Sequence, residues 1–396
     1  MTERESLVTA QLWLAFAIML FVAGVGNTFP VFFPALLAEF GGSRAATAMS
    51  LTLFWVGGAV LGPLAGLLVD RASPRALVTG GLLATALGLA VAALAPTLRV
   101  FTLALGIGGG IGIGLTGMVT QAAVIAARYR HRRGFATGIA FSGSMAGYAI
   151  AGPVHAAIVG LGWRGTLGLY VAVLVALVPW VWRVYPRRLA THPAVAPVAA
   201  ARLGALVRTV PFWALALVAA IGPLVGNLST VLHSVYFASL GYSAGHASLM
   251  LMVGGVLSTG GRALIGLVAD RIGAAAAGFL SYATSLVGTL CLVGLELRPG
   301  TALVAGYLLF LFLPLGTRAT VVSLLVARIA PPARFGSVFG WLVVGNSLGA
   351  ALGPLAAGTI YDLSHSYLAI YLVAAALVVV ALAALAVFVR TAPAAP

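Results

Sequence analysis

Twelve long apolar runs divide the 396-residue chain and constrain its fold more than any other feature. Each run has at least the ~20 residues that a helix needs to cross ~30 Å of hydrocarbon, whereas a membrane β-barrel would show short alternating segments. Because 62% of the residues are hydrophobic and 7% are charged, a water-soluble fold could not bury the apolar surface. The sequence therefore predicts an all-α membrane protein.

We number these runs as spans 1 to 12. They lie approximately at 11–38, 47–69, 76–96, 100–127, 135–160, 165–184, 211–239, 246–269, 275–295, 301–327, 335–361 and 367–389. Span 1 is too long for the core of a signal peptide, so we expect it to remain as a membrane helix. The longest polar break, 185–210, separates six spans from six. We predict an N-terminal six-helix bundle (1–184), a cytoplasmic linker (185–210) and a C-terminal six-helix bundle (211–396).

The 22 basic residues are all arginines, and their distribution predicts the orientation. With the N-terminus inside, sixteen arginines fall on the cytoplasmic side and four in outer loops, namely Arg44, Arg99, Arg164 and Arg298. Positive residues accumulate in cytoplasmic loops, so we expect both termini in the cytoplasm of a bacterial-type inner (plasma) membrane. The same rule accounts for the net charge of +15. No basic stripe with interleaved aromatic residues occurs, which excludes a nucleic-acid partner.

Patterns typical of enzymes occur in the wrong structural context. Residues 112–117 fit the dinucleotide motif G-x-G-x-x-G but lie within span 4, with no strand before them. Residues 241–245 and 345–349 fit the hydrolase motif G-x-S-x-G but lie in an outer loop and in span 11. There is no Walker A motif, and the single cysteine, Cys291, permits no intrachain disulfide. We expect neither catalysis nor a cofactor or metal, and a monomer in the lipid bilayer.

The two halves of the chain repeat in parallel at an offset of 200 residues, as in the "VGN" at 25–27 and 225–227. A parallel repeat of six spans predicts two bundles related by an axis along the membrane normal, with a site between them near the midplane. The longest match lies at the cytoplasmic ends of spans 2 and 8, beside the starts of spans 5 and 11. An acid there can accept from the first N–H groups of a neighbouring helix. We predict a cytoplasmic gate there, with plain charge topology as the alternative; its residues are Asp70, Arg71, Asp270, Arg271, Arg132 and Arg334.

The stretches "GLLVDRASPR" (66–75) and "GLVADRIG" (266–273) resemble a repeated signature of the major facilitator superfamily, whose members are transporters that work by alternating access. A narrower resemblance, to monocarboxylate porters and oxalate/formate antiporters, rests on three further stretches. They are 29–50, 128–147 and "GRALIGLVAD" (261–270). In those relatives an arginine at the place of Arg262 binds the substrate carboxylate, and the resemblance implies the same role here. The acid that they carry one turn earlier is Ser258 in this chain.

Two arginines lie near mid-membrane. Arg262 is roughly 12 Å, and Arg318 roughly 15 Å, from the cytoplasmic ends of spans 8 and 10 at ~1.5 Å per residue. A central arginine costs at least ~2.5–3.5 kcal/mol and cannot lose its charge. The seven acids lie at termini or span ends: Glu3, Glu5, Glu39, Asp70, Asp270, Glu296 and Asp362. Backbone carbonyl groups, water or an anionic substrate remain as partners, and arginine matches a carboxylate in bidentate geometry.

Other polar residues within the spans are weaker candidates for the substrate site, and interhelical hydrogen bonding is their alternative role. They are Asn27, Asn227, Tyr236, Gln121, Tyr148 and Asn346. His233 and His155 could carry a coupling proton, since histidine titrates near pH 6.5, or could be interfacial side chains.

We predict a secondary transporter of small organic anions, such as the monocarboxylates lactate and pyruvate, with proton symport favoured by the resemblance. Organic-anion exchange fits the same residues, and efflux of hydrophobic compounds is a further alternative. A membrane sensor would carry a soluble output domain, and no segment of the chain is long enough for one.

Overall fold

The computed structural model describes residues 3–128, 133–187, 208–330 and 335–392, and these residues form helices without a strand. In the N-terminal half the helices are Glu3–Asn27, Phe29–Phe40, Arg44–Arg71, Pro74–Ala93, Leu98–Ala104, Gly110–Thr116, Met118–Arg128, Arg133–Ala146 and Ala151–Val184. In the C-terminal half they are Val210–Thr230, His233–Ser239, Ala244–Ile272, Ala274–Leu297, Thr301–Tyr307, Leu313–Leu315, Arg318–Ile329, Phe335–Ser364 and Tyr367–Thr391. The prediction of an all-helical chain is confirmed.

The helices account for twelve spans. Within the described residues, nine stretches are long and apolar enough to cross a membrane, and two bent pairs, in spans 8 and 10, bring the number to eleven. One of the nine, Ala136–Val184, has 49 residues and contains spans 5 and 6. Gly162 divides this stretch in two, because its backbone angles (φ 71°, ψ 167°) are not helical. Only glycine adopts such a conformation without strain.

Spans 4 and 10 are interrupted at corresponding places. Leu105–Gly109 in span 4 and Leu308–Phe312 in span 10 are five-residue π-helices. Span 4 then breaks at Gly117, whose ψ of −166° is extended, and span 10 bends by 40° between Leu315 and Arg318. Because a π-helix or a break shifts the intrahelical ladder, some carbonyl groups in these two spans need other donors.

Two compact units divide the chain. The first comprises Met1–Thr191 and Val231–Val256, and the second comprises His192–Thr230 and Leu257–Pro396. The bundle boundaries predicted from the sequence, with the linker at 185–210, stay a prediction. In the first unit, spans 2 and 4 approach closely at Gly57 and Gly110, where a methyl group on Gly57 would overlap the backbone of Gly110. An ion pair joins Glu39 and Arg164 in the same unit.

In the second unit, spans 8 and 10 are in direct backbone contact. A methyl group on Gly261 would overlap the carbonyl oxygen of Leu313, and one on Gly316 would overlap that of Ser258. Only glycine permits this approach, which brings side chains of span 8 to the bend of span 10. The packing of these two glycines therefore positions Ser258 and Arg262 of span 8 at the bend of span 10.

We expect Gly261→Ala to lower the melting temperature of the purified protein by several degrees. The added methyl group has no room, and overpacking of this kind costs ~1–3 kcal/mol. The matched control is Gly260→Ala, because Gly260 is the preceding residue of the same helix and faces open space. That variant should keep or slightly raise the melting temperature, since alanine is the better helix former. Equal melting temperatures for the two variants would contradict the close packing of spans 8 and 10.

Candidate functional site

Several polar side chains of the second unit form hydrogen bonds at the bend of span 10. Pro314 has no N–H to donate, and the preceding π-helix displaces the hydrogen-bond ladder. Two side chains of span 8 donate to carbonyl oxygens of this segment. The Ser258 hydroxyl donates to the Phe312 oxygen at 2.7 Å, and Arg262 Nε donates to the Gly316 oxygen at 3.0 Å. The described geometry thus gives Ser258 and Arg262 a common structural task.

Arg262 is half-buried, and it stands where span 8 itself bends by 42°. Its Nε–H donates to the Gly316 carbonyl, which restricts the orientation of the guanidinium group. Sequence reasoning predicted this residue as the substrate anchor, and the structure places it at the bend of span 10.

Arg318 begins the helix after the bend and is more deeply enclosed, with 4% of its surface exposed. Its guanidinium group donates to the Gly222 carbonyl and, at 2.5 Å, to the Ser285 hydroxyl. Its central carbon lies 5.3 Å from the centre of the Tyr282 ring. Among the described residues no carboxylate contacts Arg318, and its buried Nε has no acceptor. The charge of Arg318 is therefore met by neutral groups.

Span 7 is disturbed next to Arg318. Pro223 cannot donate to the carbonyl of Ala219, and Asn346 of span 11 donates to that oxygen at 3.4 Å. Asn227 donates to the carbonyl of Pro223, in its own helix, at 3.2 Å. Both amides were predicted as substrate-lining residues, and both are half-buried. Their hydrogen bonds are of the interhelical or local kind that was the alternative.

The first unit uses its predicted amides in the same way. Asn27 is buried and donates to the Ser144 carbonyl of span 5 at 2.6 Å. Gln121 is fully buried and donates to the Thr116 carbonyl, beside the Gly117 break, at 3.0 Å. Its oxygen accepts the Tyr185 hydroxyl at 2.7 Å. Burial raises the pKa of this hydroxyl, so Tyr185 keeps the proton that it donates.

The remaining predicted site residues are distributed over the first unit. Tyr236 is completely buried, and Tyr148 is buried against Gly255. His233 is buried, and its Nε2 lies 2.9 Å from the Ala247 oxygen, whereas His155 is half-buried.

The predicted gate residues are only partly visible. Asp270 and Arg271 are exposed at the end of span 8. Asp70 and Arg71 end the helix of span 2, and their side chains lie outside the description. Arg132 and Arg334 lie outside the described residues. The gate therefore stays a prediction.

Sequence reasoning missed the residues that surround Arg318. Tyr282 and Ser285 lie three positions apart in span 9, so they share one face of the helix. The Tyr282 hydroxyl donates to the Val218 carbonyl at 2.6 Å. Ser281 and Thr317 exchange a hydroxyl hydrogen bond at 2.6 Å. The polar run "SYATS" (281–285) was the available signal, although single serines and tyrosines are common in spans.

The comparisons with known proteins agree on the family. A family model described as the Major Facilitator Superfamily matches residues 14–323. An uncharacterised 38 kDa protein in the 23S RNA operon of Thermoproteus tenax is 32% identical over 379 residues, which cover 94% of this chain and 92% of the relative. Monocarboxylate transporter 13 of Bos taurus is 27% identical over 361 residues, which cover 90% and 83%.

Solved structures show the same fold. A mutant of the nucleoside transporter NupG has a TM-score of 0.77 at 15% identity and covers 96% of this chain and 99% of its own. A bacterial homologue of the human lysosomal transporter Spinster, inward-facing and occupied, has a TM-score of 0.75 at 16% identity and covers 98% and 97%. At this identity the likeness concerns the fold alone, and it confirms the predicted twelve-helix architecture.

We expect Gln121→Ala and Tyr185→Phe each to destabilise the protein while leaving the KM for its substrate unchanged. Each change leaves a buried polar partner unsatisfied, which costs ~1–3 kcal/mol. Thermal unfolding in detergent measures the effect, and the double variant Gln121→Ala/Tyr185→Phe should lose less stability than the sum of the two single variants. A raised KM with an unchanged melting temperature would instead place Gln121 in contact with the substrate.

Proposed function

The chain belongs to the Major Facilitator Superfamily, and from this membership we propose that it transports small organic anions of the monocarboxylate class by alternating access. It is a multi-pass membrane transporter and not an enzyme. Its finer assignment, in substrate and coupling, is our proposal. So are its location in a bacterial-type inner membrane and the cytoplasmic position of both termini.

One observation carries the choice of an anion: Arg262 and Arg318 converge on the same bend of span 10, and Arg318 has neutral partners within the described residues. Carbonyl and hydroxyl groups satisfy hydrogen-bond donors but do not cancel a full charge. A guanidinium group in an apolar interior is stabilised most by an anion, and a carboxylate has the matching planar geometry. The name of the mammalian relative, a monocarboxylate transporter, supports the same substrate class.

We assign the anchoring contact to Arg262. It is the more exposed of the two arginines, so an aqueous substrate would reach it first, and its hydrogen bond to the Gly316 carbonyl restricts its orientation. Asn227 and Asn346, half-buried residues of the second unit, are our proposed neutral contacts to the rest of the substrate. The roles predicted for Tyr236 and Tyr148 stay predictions. Asn27 and Gln121 act in this scheme through the helix packing that they stabilise.

The coupling follows from where a proton could bind. Within the described spans the ionisable candidates other than arginine and tyrosine are histidines and Cys291, so proton symport would use His233, His155 or the substrate itself. Exchange of one anion for another needs no such group. Its physical basis is the charge of Arg318, which has neutral hydrogen-bond partners among the described residues.

We expect Arg262→Gln to raise the KM for its carboxylate by roughly 10- to 100-fold, because a charge-assisted hydrogen bond contributes ~1.5–3 kcal/mol. Purified protein in liposomes is tested with labelled lactate, pyruvate, oxalate and formate, with and without a pH gradient. Arg298→Gln is the matched control, since Arg298 is an exposed arginine of the second unit and should leave the KM unchanged.

The same assay separates the coupling modes. Uptake driven by an inward pH gradient indicates symport, whereas uptake that needs internal anion indicates exchange. A wild-type protein that carries none of the four acids, or an Arg262→Gln variant with the wild-type KM for each, would contradict the proposed function.

A further inference from the structure

The two arginines at the bend of span 10 differ in exposure, and this difference separates their roles. Arg262 is half-buried, whereas Arg318 is 4% exposed and surrounded by spans 7, 9 and 10. We infer that Arg318 is a positioning residue, which fixes the bend of span 10 and thereby orients Arg262 toward the carboxylate. This inference rests on the proposed function and names a second determinant of the same site.

The contacts of Arg318 tie three spans together. One terminal nitrogen donates to the Gly222 carbonyl of span 7, and the other donates to the Ser285 hydroxyl of span 9 at 2.5 Å. The Tyr282 ring, 5.3 Å away, covers the guanidinium group, and its hydroxyl is itself fixed on the Val218 carbonyl. Because both terminal nitrogens of Arg318 already donate hydrogen bonds, its guanidinium group is held in place and is less able to bind a carboxylate in bidentate geometry.

Span 7 has a place shaped for Arg318. A methyl group on Gly222 would lie 2.8 Å from the Arg318 Cδ and 2.9 Å from the Tyr282 hydroxyl. A methyl group on Gly226, one turn later, would lie 2.6 Å from Leu315 Cδ1. The two glycines thus leave room for the arginine and for the residue at the bend. Any larger residue at 222 would displace the side chain of Arg318.

The bend itself connects Arg318 to Arg262. Thr317 lies between Gly316 and Arg318, and its hydroxyl bonds to Ser281 at 2.6 Å and to the Pro314 carbonyl at 2.7 Å. The Gly316 carbonyl accepts from Arg262 Nε. A shift of Arg318 would therefore move the acceptor that holds Arg262. Because Arg318 starts a helix, its charge adds to the positive end of the helix dipole and favours an anion nearby without touching it.

A double-mutant cycle tests the inference, because residues that act through one another give non-additive effects. We expect Arg318→Lys to raise the KM for pyruvate, or for whichever acid the wild type carries best, by roughly five- to tenfold, since lysine cannot hold both acceptors. In the Arg262→Gln background the same change should alter the KM by less than about twofold. Ser285→Ala keeps the charge of Arg318, and should show the same pattern with a smaller amplitude if the lysine variant fails to fold.

Each other outcome overturns the inference. Multiplying effects of the two substitutions would show that Arg318 contacts the substrate independently. A lower melting temperature with an unchanged KM for both Arg318→Lys and Ser285→Ala would show a purely structural role. Failure of the proposed function is distinguishable from both, because the wild-type protein would then carry none of the tested acids.

Discussion

The candidate site depends on one constraint: a carbonyl group that a helix break exposes inside a membrane has to accept a hydrogen bond from the protein. Spans 4, 7 and 10 each meet this constraint with a side chain. Gln121 donates to Thr116, Asn346 to Ala219, and Arg262 to Gly316. The breaks therefore give each of these polar side chains a hydrogen-bonding role in the fold.

The two halves meet the constraint with different chemistry. At the break of span 4, the neutral amide of Gln121 donates to the carbonyl of Thr116. The oxygen of the same amide accepts a hydrogen bond from the Tyr185 hydroxyl. At the bend of span 10 the donor is an arginine from span 8, where the repeat places Gly62 in the first half. A neutral donor would satisfy the Gly316 carbonyl equally well, so hydrogen bonding alone does not account for the charge. We propose that this asymmetry between the halves suits the second unit for anion recognition.

The sequence predicted the features that depend on composition over a whole span. Hydropathy located the spans, and the interval between spans 5 and 6 was predicted at the place where Gly162 turns the chain. The rarity of charge within spans identified Arg262 and Arg318. Helix breaks were harder, because a π-helix such as Leu308–Phe312 has no residue signature. The partners of Arg318 were missed for a related reason: Ser285 and Tyr282 are unremarkable residues until the fold brings span 9 against span 10.

A group can have its hydrogen bonds satisfied without having its charge neutralised. Both terminal nitrogens of Arg318 have acceptors among the described residues, but these acceptors are neutral. A carbonyl oxygen carries a partial charge, so the Gly222 carbonyl and the Ser285 hydroxyl reduce the energy of the guanidinium group without cancelling its field. That field extends further than a hydrogen bond in a medium of low dielectric constant. A neutral molecule of the same shape would gain the contacts at the bend but not this term. Under the proposed function, the site would therefore select the charge of the substrate before its shape, and half-buried amides of the second unit such as Asn227 and Asn346 would discriminate among acids.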